Sequence, residues 1–428
     1  MDTDELAALR DAAASGNGAP RAPSPGVPPT GAPRAAMGAA PRPDGPASDE
    51  TIARLLSDPR ALQMPWVESP LFESMLASSR MTDAIKAQAR AFRRDGFVIL
   101  ENFFPRELID AVLSRYDWLF DPATQFDATP EVSRLLKLDP NRRQDAWWVH
   151  EPVRTLAADP RLLGLLKYLY GREPIPFQTL NFLPGTQQPT HSDAIHFSCA
   201  PSGFMCGVWV ALEDVTEHNG PLHYYPGSHL LPEMRLEQLG LWAGDNQEEL
   251  GPNYAFFEDY VRSVIRARAL ERKRLVIKKG TALIWASNLL HGGCPITRPG
   301  TTRKSQVTHY YFEDCLYYTP IYSNALLGEY RLKEVVDLRT NRTVPHRVNG
   351  TALELLPLPN GNHRLLRPGA RGSYVLKPGL PRGIMDLIES EVRDLRGVQG
   401  LDPLERARVM AQLCDVALRA HAAIPPAS

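Results

Sequence analysis

From Pro174 to Phe312 the chain breaks into short apolar, β-prone runs separated by Gly, Pro and Asn turns. That punctuation confines this region to an antiparallel sandwich or barrel. The clearest strand candidates are Phe177–Leu183, Met205–Leu212, Arg274–Ile277, Thr281–Trp285 and Lys304–Phe312. Between them, Leu239–Ala269 is first polar and then helical in pattern. An insertion of that length inside a β core is a candidate lid or binding loop.

Upstream, Thr82 is placed to cap a helix carrying Ile85, Ala89 and Phe92, and Gly96 ends it. Phe97-Val98-Ile99-Leu100 then reads as a buried strand, and Pro105 opens a second helix carrying Leu108, Val112, Leu113, Tyr116 and Leu119. Residues 12–48 are mostly Ala, Pro and Gly, with nine prolines from Pro20 to Pro46. Such a stretch has too few large apolar side chains to offset the entropy of ordering, so residues 1–48 are expected to be a disordered leader. The pattern assigns 49–315 to one mainly β domain with flanking helices. It assigns 316–428 to an extension with helices near Pro381–Leu395 and Pro403–Ala420.

Charge narrows the partners. With 48 Lys and Arg against 49 Asp and Glu, the chain has no net field to attract nucleic acid or an anionic membrane. Five cysteines without a Cys-x-x-Cys pair argue against a disulfide framework or a zinc ribbon. The N-terminal Met1-Asp2-Thr3-Asp4-Glu5 is acidic where a targeting peptide would be basic, and no apolar run nears the roughly 18 residues a membrane span needs. A cytoplasmic protein acting on a small molecule is the expectation.

Thr190-His191-Ser192-Asp193 places an imidazole and a carboxylate two residues apart, so on a strand both face one side. Such a pair can grip a metal, and two histidines with one carboxylate form the facial set suited to non-haem iron(II) oxygenases. His291, after the strand ending at Trp285, is the candidate third ligand. Arg303, twelve residues on, is the candidate fork for a distal carboxylate of 2-oxoglutarate. Alone, each piece also fits a hydrogen-bonded structural side chain. The order His-x-Asp, then Asn219–His229 (NGPLHYYPGSH), a strand, His291 and Arg303 is what gives the set its meaning.

These motifs, with FRRDGFVILENFF before them, resemble the phytanoyl-CoA dioxygenase family over roughly Ala87 to Phe312. The resemblance implies a double-stranded β-helix (jelly-roll, cupin-like) core and iron(II) on His191, Asp193 and His291. It also implies 2-oxoglutarate as cosubstrate anchored by Arg303, and O2 as oxidant. Thr179 and Asn181 are similar to positions lining the cosubstrate pocket, although Asn181 is equally placed to satisfy neighbouring backbone. Gly293 stands where several relatives carry a serine that meets the cosubstrate, so that contact must come from elsewhere. Because Asp193 is kept where halogenases of this type lose the carboxylate, the resemblance implies hydroxylation ahead of desaturation or ring closure.

The remaining candidates divide between structure and function. The Asn-Gly and Pro-Gly turns, with His223 and His229, are expected to shape the sheet edge. His196 is expected on the face opposite Asp193 if the strand continues, and His309 alternates in phase with Arg303. Trp147, Trp148 and Trp209 suit either pocket walls or core. Arg142, Arg143 and Lys137 suit either a solvated loop or a handle for an anionic substrate. The rival classes are a redox-inactive cupin-type isomerase or hydrolase and a non-catalytic binding module. The first would usually show more histidines near the first strand, and the second requires a missing ligand. The C-terminal helices support packing on the barrel and pairing into a homo-oligomer equally.

Overall fold

A computed structural model describes residues 63–243 and 247–366, all within one compact unit; the expected leader and the two C-terminal helices lie outside the described residues. The helices are α1 (Phe72–Ser78), α2 (Asp83–Asp95), α3 (Arg106–Leu113), α4 (Tyr116–Phe120), α5 (Pro130–Lys137), α6 (Glu151–Ala157), α7 (Pro160–Tyr170) and α8 (Gln247–Ala267). Helix α2 starts where Thr82 Oγ1 accepts from Ile85 N and stops at Gly96, whose φ of 81° lies in the left-handed region that glycine enters without strain.

The strands that build the site are β1 (Phe97–Leu100), β2 (Arg142–Gln144), β3 (Pro174–Phe182), β4 (Ser198–Ala200), β5 (Met205–Ala211), β6 (Leu222–Tyr224), β7 (Lys273–Arg274), β8 (Ala282–Ala286), β9 (His291–Gly293), β10 (Ser305–Phe312) and β11 (Leu316–Tyr318). Six of them form an antiparallel sheet in the order β1-β8-β5-β10-β3-β2, and three form a smaller one, β7-β6-β9. The fold is mainly β with helices.

Side-chain alternation sorts the two faces of the large sheet. Val208, Val210, Ala282, Ile284, Tyr310 and Phe312 pack against α2, α3, α6 and α7. Their neighbours Trp209, Leu283, Trp285 and Val307 turn inward against Leu222 and Tyr224 of the small sheet and Leu275, which follows β7. The space between the sheets is therefore walled by one face of each, and that is where the histidines converge.

The 239–269 segment supplies α8, whose Phe257 and Val261 are buried with Ile195, Tyr225, Leu290 and Ile321. The expected break at 315/316 does not coincide with a break in the fold. Strand β11 pairs with β4, and Tyr317, Val335 and Leu338 are fully buried in the helix-facing core. Among the described residues no helix is long and apolar enough to cross a membrane.

Candidate active site

Here the backbone departs from the expected strand. His191 makes a single antiparallel bridge to His291, each backbone N–H donating to the other's carbonyl at 2.9 Å. Asp193, instead of continuing extended, opens a helical turn, Asp193–Ile195, whose carbonyl accepts from His196 N and Phe197 N. The turn swings the carboxylate under both imidazoles, so the three groups meet through a bend rather than a shared strand face. It also brings His196 to the cavity, where its Nε2 lies 3.4 Å from Tyr254 Oη of α8.

Each of the two histidines is oriented by its own chain. His191 Nδ1 bonds Pro189 O at 2.9 Å and His291 Nδ1 bonds Leu289 O at 3.0 Å, which places the proton on Nδ1 and the lone pair on Nε2. Both Nε2 atoms stand 3.8 Å from Asp193 Oδ1. His191, Asp193 and His291 are buried, and one ligand atom from each falls within 4.8 Å of the others. The Pro-Gly-Ser-His turn holds this segment from behind, since Ser228 Oγ accepts from Leu290 N at 2.8 Å and Tyr225 N donates to Leu290 O at 3.0 Å.

Two partners of Asp193 come from the large sheet. Trp285 Nε1 of β8 donates to Asp193 Oδ2 at 2.7 Å, and His309 Nε2 of β10 lies 3.6 Å from the same oxygen while its Nδ1 bonds Gln178 Oε1 at 3.1 Å. Oδ1 is thereby left for a metal. Burial opposes ionisation of Asp193, but His291, His309 and His191 outweigh it and hold the carboxyl well below the usual carboxylate range. Burial, with His291 beside it, pulls His191 down to about 3, so its imidazole is a neutral donor at physiological pH. Gln188 Nε2, 3.3 Å from His191 Nε2, must yield if a metal is to take that lone pair.

Arg303 is completely buried, reaches the same cavity, and donates Nη1 to Gly220 O at 3.1 Å. Burial lowers its pKa to about 10, so it remains a cation, yet among the described residues no carboxylate pairs with it. Its Nε and the Nε1 of Trp209, over whose ring the guanidinium lies at 5.4 Å, have no hydrogen-bond partner among the described residues. A buried, unpaired fork is costly unless an anion completes it. The donors therefore fit both an iron ion and a carboxylate-bearing cosubstrate.

A model of the phytanoyl-CoA dioxygenase family matches residues 92–305, half of the chain, a range that includes His191, Asp193, Trp285, His291 and Arg303. This chain belongs to the phytanoyl-CoA dioxygenase family. It is 34% identical over 220 residues to an ectoine dioxygenase of Sphingopyxis alaskensis, covering 48% of this chain and 69% of that protein. To a probable phytanoyl-CoA dioxygenase of Caenorhabditis elegans it is 21% identical, covering 63% and 88%. Among solved structures, the epimerase SnoN in complex with Fe3+, alpha ketoglutarate and nogalamycin RO is 20% identical with a TM-score of 0.42, covering 66% of this chain and 99% of that one. The protein is a 2-oxoglutarate-dependent non-haem iron dioxygenase, with iron(II), 2-oxoglutarate and O2 as its cofactor set.

Within this dioxygenase, Thr179 and Asn181 do not stand where the family resemblance put them. Both are fully buried, and Asn181 Nδ2 donates to Gln306 Oε1, whose own amide donates to Val153 O of α6. They therefore face the helix layer. The alternate residues of β3, Gln178, Leu180 and Phe182, line a cavity of about 420 Å³ together with His191, Asp193, His291, Arg303 and His309. A strand's period of two explains the error, because choosing the wrong parity exchanges the faces completely. Trp209 lines the cavity, whereas Trp147 is buried in the helix-side core and Trp148 stacks on it partly exposed. The Trp285 bond was not foreseen, and only its inward parity on β8 signals it. Cavity residues Thr319, Tyr322 and Lys333 come from beyond residue 315.

Proposed function

We propose that this dioxygenase hydroxylates an unactivated C–H bond of a small molecule on a double-stranded β-helix. His191 Nε2, Asp193 Oδ1 and His291 Nε2 hold the iron, and Arg303 holds the distal carboxylate of 2-oxoglutarate. The observation that carries the reading is the convergence of a two-histidine, one-carboxylate cluster and an unpaired buried arginine on one cavity of about 420 Å³. Bound iron with 2-oxoglutarate supplies the oxidising power: one O2 oxygen goes to the substrate as hydroxyl and the other to succinate, with loss of carbon dioxide.

The residues of the chain do the positioning. Pro189 O and Leu289 O fix the two imidazole tautomers, Trp285 and His309 leave Asp193 a single free oxygen, and inward-facing Leu180, Phe182, Leu222 and Val307 limit water at the reacting centre. A Cβ on Gly293 would lie 2.6 Å from Gln187 N and 2.8 Å from Thr186 Oγ1. No serine fits there, and the hydroxyl of Thr186, which lines the cavity, takes over the contact with the cosubstrate. Helix α8, reaching His196 through Tyr254, serves as the lid.

Anaerobic titration of the purified protein with iron(II) and 2-oxoglutarate tests this. A weak visible charge-transfer band is expected only when both are present, and its absence in folded protein would remove the cofactor geometry. Asp193→Ala should abolish turnover with circular dichroism unchanged, and Arg303→Ala should mainly raise the 2-oxoglutarate concentration needed for half-maximal rate, by tenfold or more. Full activity in Asp193→Ala would sink the ligand set.

A further inference from the structure

Asp193 is the only carboxylate among the described residues lining the cavity, which also holds three basic side chains, Arg142, Lys333 and Arg303. If the iron centre is as proposed, its charges cancel: the dication and Arg303 balance Asp193 and the two carboxylates of 2-oxoglutarate. Arg142 and Lys333 are left over.

Neither has its charge well matched by protein. Arg142 is 3.8 Å from Asp139, with both side chains 40% exposed, a solvated pair of little strength. Lys333 is partly buried with its ammonium 5.1 Å from the centroid of Phe197 and 5.8 Å from that of Phe177, and forms no ion pair among the described residues. Asp145 is close enough to favour its charge, but that carboxylate is already committed to Thr179 N, Trp147 Nε1 and Gln144 Nε2. Burial outweighs Asp145 and lowers the Lys333 pKa, the direction expected of a cation short of a counter-charge. Both line the cavity together with His196 of the turn that Asp193 opens. Gln144, Gln178 and Thr319 line it too as neutral hydrogen-bonding groups.

We propose that the substrate carries an oxyanion, a carboxylate, sulfate or phosphate, which Lys333 receives inside the cavity while Arg142 draws it in from the rim. This rests on the iron and cosubstrate assignment above and deepens it by naming the substrate's charge. Lys333 lies outside the residues matched by the family model, in the segment after β11, whereas Arg142 lies within them.

The test uses the full chain, anaerobic, with iron(II) and saturating 2-oxoglutarate so that Arg303 and the metal are occupied. Equilibrium dialysis would compare the isosteric pair 3-phenylpropionate and 3-phenylpropanamide, which differ in charge, and a second anion, phenyl phosphate. The anions should bind at least tenfold more tightly than the amide, Lys333→Gln should reduce that preference to under threefold, and Lys333→Arg should restore most of it. The two anions separate carboxylate from phosphate recognition. Equal binding of anion and amide, failure of every anion to bind at millimolar concentration, or a preference that survives Lys333→Gln would overturn the inference. The chelate band in the same samples separates the two readings. Its absence from wild type defeats the cofactor assignment, whereas a normal band without charge preference defeats this inference alone.

Discussion

At the residue scale the site depends on groups that hold its ligands. The Trp285 indole N–H takes Asp193 Oδ2 at 2.7 Å inside the core, where a charge-assisted bond fixes the free oxygen. Trp285→Phe should therefore weaken iron(II) binding about tenfold, within the range for loss of a partner behind a metal ligand, with 2-oxoglutarate affinity at saturating iron unchanged. Competition against a chelator would read the loss, and an unaltered iron affinity would assign the indole to packing alone. His223 sets a pH dependence of stability. Buried, with Thr190 Oγ1 at 2.8 Å from its Nε2, its folded pKa is pulled down by burial to about 4. An unfolded chain leaves it near 6.5. Its neutral form thus contributes stability that is fully present above about pH 6.5 and is lost as pH falls toward 4. By pH 5 the loss should be about 2 kcal/mol, and denaturant titrations at pH 7.5 and 5 should show a difference smaller by that amount in His223→Gln.

At the element scale, strand parity and one close approach decide the geometry. Gly207 on β5 pairs with Trp285 on β8, and a Cβ there would lie 2.3 Å from the indole Cε2. Gly207→Ala should cost about 1–3 kcal/mol through overpacking. It should also loosen iron(II) by pushing the indole off Asp193, so a melting-temperature drop without any change in iron affinity would separate the two roles. The strands themselves were legible because β5, β8 and β10 alternate or run apolar between Gly and Pro turns, and the α2 ends because Thr82 and Gly96 are strong local signals. What was not legible was the bend at Asp193. Nothing in Thr190–Asp193 distinguishes a strand from a strand ending in a turn, and the turn is held from afar by Ala194 N donating to Ser287 O at 3.0 Å. Asn181 and Thr179 failed for a related reason. Two polar residues on alternate positions of a strand buried on both faces carry no mark of which layer they meet.

At the scale of the whole molecule, the segment after residue 315 is part of the domain. Tyr317 is fully buried with its ring 4.8 Å from Tyr311, which stacks on Phe177 at 4.3 Å, and Leu316, Ile321, Val335 and Leu338 are buried as well. Removing these side chains forfeits about 2 kcal/mol each, which together rivals the 5–15 kcal/mol that stabilises a typical domain. A chain ending at Cys315 should therefore lack cooperative unfolding by circular dichroism, and a sharp transition near that of the full chain would refute this. By itself the sequence determined the strand-rich class, the start and end of α2 and the ordered motifs His191-x-Asp193, His291 and Arg303, because caps, turns and spacing are local chemistry. Only the tertiary structure decided the rest: that Asp193 turns beneath two imidazoles, that Trp285 and His309 hold it, that Thr179 and Asn181 face the helices, and that Lys333 reaches the cavity. Each depends on which residues distant in the chain are brought into contact when the two sheets close on each other, and neither spacing nor composition records that.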